Sequence, residues 1–126
     1  MEIGELTPDG VYVGKSASTG MDLFAAAADA PSPMNRAEAL AYAKQLAKIH
    51  PGAHVPTPAE LDANLFANRD AGALRGTFNA SGELNTCYLS SGLSDDFAQV
   101  QWFDDGFRGH NGTGIRVKVR IVWPAP

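Results

Sequence analysis

His54-Val55-Pro56-Thr57-Pro58-Ala59-Glu60-Leu61, continued by Leu65-Phe66-Ala67-Asn68-Arg69, is the stretch from which the rest of the chain can be parsed. Thr57 can cap a helix, Pro58 suits a first helical position where no N–H is required, and Glu60 can reach back from the third. Leu61 and Leu65, one turn apart, supply an apolar stripe, and the helix is expected to end near Asn68 to Gly72. Upstream, Asn35 and Glu38 have the same capping spacing. Ala39, Tyr42, Ala43, Leu46 and Ile49 then share one helical face with Lys44, Gln45 and Lys48 opposite, and Pro51-Gly52 stops the helix.

Outward from the helices the pattern changes period. Asp9-Gly10 signals a turn, Val11-Tyr12-Val13 a short strand, Lys15 to Gly20 a polar loop, and Met21 to Ala28 the returning strand of a hairpin. Thr86 to Ser90, Ala98 to Phe103 and Ile115 to Trp123 are further strand candidates, separated by Gly-, Ser- and Asp-rich turns. Helices bunched in the first half and strands in the second argue against a βαβ repeat. The expectation is an α+β fold in one domain spanning residues 1–126, with two helices packed on a small twisted antiparallel sheet.

The 126 residues are 44% hydrophobic and 19% charged, enough to bury about two-thirds of the chain's surface without disulfides or a metal. The longest apolar run, Leu23 to Ala28, is far short of the roughly 20 residues of a membrane span. The net charge of −4 and scattered basic residues exclude a duplex nucleic-acid binder, which needs a basic stripe. Arg116, Lys118 and Arg120 form the one local cluster. Alternation puts them on one strand face, read as solvated or as a seat for an anion, with Ile115, Val117, Val119 and Ile121 on the other. The single cysteine, Cys87, excludes an internal disulfide or a multi-cysteine zinc site. The N-terminus has no signal sequence, so the expected location is the cytoplasm, with a virion or signal-independent export as compatible alternatives.

The quoted stretch resembles the R-[LV]-P-T-x-x-E-L…L-F-x-N-R signature of the DUF1566, or Lcl C-terminal, domain family. Gly76-Thr77-Phe78-Asn79 is similar to its G-G-F-N, Tyr88-Leu89-Ser90-Ser91 to its W-Y-W-S-S-S, and Gln101-Trp102-Phe103-Asp104-Asp105-Gly106 to its Q-x-F-x-D-G. Ile115 to Arg120 stands where the family has V-R-C-V-R, and the likeness runs over residues 34–122. Leu89 replaces a family aromatic and His54 a family arginine. The resemblance implies a C-type lectin-like fold, related to formylglycine-generating-enzyme-like domains, with paired termini and a loop-rich ligand face before the last strand.

Catalytic readings find little support in the residues. An oxidase of the formylglycine-generating type would need a second cysteine beside Cys87, and a lone strand cysteine reads as core. His50 and His54 have helical metal-pair spacing, but Pro51-Gly52 lies between them and no Glu completes a triad; a histidine interacting with a helix C-terminus fits better. Asp95-Asp96 and Asp104-Asp105 could offer oxygens to calcium, yet such pairs beside glycine are ordinary turn formers. Many acid pairs could meet the spacing of a glycosidase, and none is singled out. No phosphate-cradling loop is present.

The remaining signal is a binding surface. Tyr88, Trp102, Asp104, Asp105, Phe107, Arg108, His110 and Asn111 gather between Cys87 and Gly114, and aromatic and arginine side chains dominate interface hot spots. Alternation sends Trp102 and Phe103 to opposite faces, one toward the core. The expectation is a noncatalytic recognition module that takes a protein or glycan ligand, with no cofactor and no metal. A small enzyme on the same fold and a structural, oligomer-forming subunit are the alternatives.

Overall fold

The computed structural model describes residues 1–79, 86–94 and 96–126. Strands β1 (Leu6–Thr7), β2 (Gly10–Lys15) and β3 (Asp22–Ala25) are joined by the C-terminal β7 (Val122–Pro124) in one antiparallel sheet of order β1-β2-β3-β7. A second antiparallel sheet holds β4 (Cys87–Ser94), β5 (Phe97–Trp102) and β6 (Arg108–Gly112) in that order. The fold is α+β, as expected, but with two small sheets in place of one.

Both helices begin where their caps place them. In α1 (Arg36–Leu46), Asn35 Oδ1 accepts the Glu38 N–H at 2.9 Å and Glu38 Oε1 accepts the Asn35 N–H at 3.0 Å. Ala39 and Ala43 are buried; Ile49, expected on the same face, is exposed because the helix ends at Leu46. The second helix opens as α2 (Pro58–Glu60) with the reciprocal Thr57–Glu60 box and continues as a π-helical turn, Leu61–Phe66. Leu61 and Leu65 are buried, and so is Asn64, whose Nδ2 donates to the Val13 and Lys15 carbonyls while its Oδ1 accepts the Ala17 N–H. This one amide fixes the end of β2 to the second helix.

The first sheet is covered on both faces, which explains why Val11, Tyr12 and Val13 are all buried although they alternate. Tyr12 and Phe24 join Ala39, Ala43, Cys87, Leu89, Val100, Val119 and Ile121 on one side. Val11, Val13, Leu23 and Ala25 join Leu61, Leu65, Leu74, Tyr88 and Phe103 on the other.

Residues 115–121 are not the continuous strand the alternation predicts. Val117 bridges Met34, Lys118 bridges Tyr88 in parallel, and only Val122–Pro124 forms a ladder. The backbone bonds of this segment go alternately to residues 26–34 and to β4: Ala26, Ala30 and Met34 donate to the Ile121, Val119 and Val117 carbonyls, while Leu89 of β4 donates to the Lys118 carbonyl and Lys118 donates to the Cys87 carbonyl. The chain therefore splices the two sheets. The alternation of burial survives for Val117, Val119 and Ile121, but Ile115 is exposed.

The basic face expected of Arg116, Lys118 and Arg120 does not form. Arg116 is exposed and pairs with Glu38 at 2.9 Å. Arg120 is completely buried: Nε donates to Asp29 Oδ1 at 3.0 Å, Nη1 to the Ala26 carbonyl and Thr77 Oγ1, and Nη2 to the Thr77 carbonyl at 2.7 Å. Its guanidinium lies 3.9 Å from the Phe78 ring centroid. Asp29 also accepts from Tyr88 Oη at 2.7 Å and stands 3.9 Å from Lys118 Nζ. A buried charge persists only when paired and hydrogen-bonded, and Arg120 meets both conditions. No helix among the described residues is long and apolar enough to cross a membrane.

Candidate functional site

The β4-β5-β6 sheet has two unlike faces, set by register. Cys87 pairs with Trp102, Leu89 with Val100, Val100 with Gly109 and Ala98 with Asn111, and this face packs into the core with α1. The other face carries the rows Tyr88–Gln101–Arg108 and Gln99–His110. Ser90, whose Oγ donates to the Gln99 carbonyl at 2.9 Å, extends it.

Pro58 and Leu61 at the start of the second helix approach this polar face and leave a cavity of about 220 Å³ lined also by Ser90, Gln99, Gln101, Arg108 and His110. Among the described residues, no carboxylate lines it. Gly92 permits the approach of β4 to the helix, since a Cβ there would come within 2.6 Å of the Pro58 ring.

Two features make this cavity more than a packing gap. Of the six arginine side chains, those of Arg36, Arg69 and Arg75 donate to carbonyls and those of Arg116 and Arg120 to carboxylates, whereas that of Arg108 has no hydrogen bond or ion pair among the described residues. Gln101 is 1% exposed, and its Nε2 donates to Asp62 Oδ1 at 2.7 Å and to the Gly106 carbonyl at 3.1 Å. Two acceptors fix the orientation of the amide, because the flipped form would set oxygen against oxygen. Gln101 Oε1 is then a buried acceptor that receives no hydrogen bond among the described residues. Such atoms are rare in folded proteins and call for a physical reason.

The residues expected at the site divide. Arg108 and His110 line the cavity, and His110 lies in β6, not in the turn that its Gly-rich surroundings suggest. Its ring is 5.1 Å from that of the exposed Phe97. Tyr88 leaves the surface set: it stands on the same face as Gln101 but is fully buried in the core with Leu61, Leu65 and Phe103, donating to Asp29 and accepting the Asn79 N–H. Burial, only partly offset by that N–H, pushes its hydroxyl far above the usual range. Trp102 and Asn111 point to the core face, Trp102 half-buried 5.8 Å from the exposed Phe107 ring and Asn111 directed at Cys87 Sγ. Phe103 is the core member of the Trp102–Phe103 pair. Asp104 and Asp105 are exposed and build the β5–β6 turn, accepting the Asp105 and Phe107 N–H groups at 2.9 Å. Asp95 lies outside the described residues. Among those described, no three His, Cys, Asp or Glu side chains converge to hold an ion.

The loop-rich face expected between Cys87 and Gly114 is thus largely β-sheet, and its cavity uses three residues that sequence reasoning missed: Ser90, Gln99 and Gln101. The alternation Ala98-Gln99-Val100-Gln101 carried the signal for the last two.

A second polar cluster has a different character. Glu60, fully buried, receives Ser16 Oγ at 2.5 Å, His54 Nε2 at 2.9 Å and the Thr57 N–H at 3.0 Å. Burial pushes its carboxyl upward, but those three donors together outweigh it and hold the pKa at about 2. His54 Nδ1 faces the Gly52 carbonyl at 2.8 Å, so both ring nitrogens meet acceptors; the Glu60 bond raises the imidazole's pKa most, against its partial burial. The acid stands between serine and histidine, and Ser16 Oγ itself accepts from the Ser18 and Thr19 N–H groups. A nucleophile must be bonded to its base, and here it is not. The cluster anchors the β2–β3 loop to the second helix. His50, expected to interact with the helix end, stacks on Trp123 at 3.8 Å. Cys87 is buried in the core, which pushes its thiol up to about 12.

No family model matches the chain, and no curated protein matches it.

Proposed function

We propose that this chain is a noncatalytic recognition module that takes a protein or glycan ligand on the outer face of the β4-β5-β6 sheet. The observation that carries the reading is Arg108: a side chain without a hydrogen-bond or ion-pair partner among the described residues, in a chain of net charge −4, at the rim of a polar cavity. A guanidinium left unpaired beside a concavity has its donors available for a ligand. The noncatalytic part is supported by the two reactive clusters that could argue otherwise. Cys87 is a core thiol held protonated, and Ser16, Glu60 and His54 spend their hydrogen bonds on structure.

A C-type lectin-like architecture, akin to that of the DUF1566 domains, is part of the same proposal. What supports it is the meeting of N- and C-terminal strands in one sheet, the helix between them, and a second sheet presented at one end. The test is a parallel screen of immobilised glycans and of lysate proteins with the native chain and Arg108→Ala. A ligand lost by Arg108→Ala, while the melting temperature is kept, is the expected result. Retention of every ligand by the variant would contradict the reading.

A further inference from the structure

The cavity between the second helix and β5–β6 also restricts the chemistry of what enters it. Its volume, about 220 Å³, is below the roughly 300 Å³ at which drug-sized pockets begin, and suits one six-membered ring. Charge at the rim is positive through Arg108, and no carboxylate lines it among the described residues; Asp62 is engaged by Gln101 Nε2. The guanidinium fork can pair with a planar carboxylate through two parallel bonds.

A bare carboxylate would leave Gln101 Oε1 unsatisfied, since it brings no donor at neutral pH. A hydroxyl on the same molecule supplies one. Pro58 and Leu61 offer an apolar wall on the side opposite Arg108 and His110, against which the C–H face of a ring can lie.

We infer that this cavity is a subsite for a hydroxy-carboxylate of the size of one acidic sugar, free or as the terminal residue of a glycan, with its carboxylate on Arg108 and a hydroxyl donating to Gln101 Oε1. The inference rests on the recognition reading and narrows it to one ligand chemistry. His110, across the β5–β6 ladder from Gln99, stands at the same mouth and closes it beside the Phe97 ring.

The experiment is amide chemical-shift titration of the full chain with glucuronate, with glucose as the neutral isostere, and with a short glucuronate-terminated oligosaccharide. Glucuronate is expected to shift the Gln99–Gln101 and Arg108–His110 signals and to bind at least about tenfold more tightly than glucose. Arg108→Ala should remove that preference, and Arg108→Lys should restore only part of it, because the paired bonds are lost while the charge stays. Tighter binding of the oligosaccharide would assign the subsite to a glycan end; equal binding would assign it to the free acid. Equal affinity for glucose, or shifts outside these two strands, would overturn the inference. So would the absence of any shift at tens of millimolar glucuronate, while loss of some other ligand in Arg108→Ala would leave the broader recognition reading standing.

Discussion

Glu60 is ionised in the interior because three donors surround it, and that makes stability depend on pH in two windows. Its folded pKa of about 2 lies below the ordinary 4.5, so its contribution is complete above pH 4.5 and is lost as pH falls from there toward 2. His54 has the opposite sign: its pKa is raised above 6.5, so its share is complete below pH 6.5 and is lost as pH rises through the higher folded value. Urea unfolding midpoints across pH should therefore form a plateau between about 4.5 and 6.5 from this pair. Glu60→Gln should flatten both flanks and lower stability by about 3 kcal/mol, as expected when a buried ion pair loses one partner. At Cys87 the expected result is chemical silence. With the thiol buried and its pKa near 12, alkylation at native pH should proceed at the rate of global unfolding. Labelling faster than that would show the pocketless core assignment of Cys87 to be wrong.

Among the elements, those closed by local chemistry were legible in the sequence and those closed by long-range contact were not. Asn35 with Glu38 and Thr57 with Glu60 specify their helix starts through bonds that span three residues; Asn35→Ala should cost about 1 kcal/mol in thermal unfolding. The β2–β3 hairpin was legible for the same reason. Strand β6 was not, because Arg108-Gly109-His110-Asn111-Gly112 has no strand propensity; the turn through Asp104 and Asp105 presses it against β5. Gly109 belongs there because the Trp102 and Phe107 rings come within 3.2 Å of where its Cβ would stand. At the site, Arg108 and His110 could be picked out by residue type, whereas Gln101 became visible only once Asp62 and Gly106 fixed its amide. The burial of Tyr88 is not legible in the sequence, because an aromatic in a strand reads the same whether it faces a ligand or an aspartate. Gly92→Ala tests the packing of β4 on the second helix. Its methyl would press on Pro58 and Gln99, and the expected loss is about 1–3 kcal/mol, with the ligand cavity narrowed in proportion.

Across the whole molecule, the segment running from Val117 to Val122 splices the two sheets, and Arg120 is its deepest anchor. Its guanidinium ties the C-terminal chain to Ala26, Asp29 and Thr77, while Asp29 reaches Tyr88 in β4. Arg120→Met should cost about 3–5 kcal/mol, because it strands the Asp29 carboxylate near the core. Paired with Asp29→Asn, the loss should be smaller than the sum of the two. Alternation alone assigned Arg120 to a solvated face; the segment's change of partners, from residues 26–34 to β4, buries both of its sides. The scaffold thereby presents Arg108 and His110 at the open edge of the β4-β5-β6 sheet, with Arg108 the arginine left unspent among the described residues.

The most direct measurement of that central claim is amide shift mapping of the native chain with whichever ligand the glycan and protein screens return. Perturbations should centre on Gln99–Gln101 and Arg108–His110 and vanish in Arg108→Ala, with the rest of the spectrum unchanged. Perturbations centred on the Asp104–Phe107 turn, or on the first sheet, and indifferent to Arg108, would contradict it.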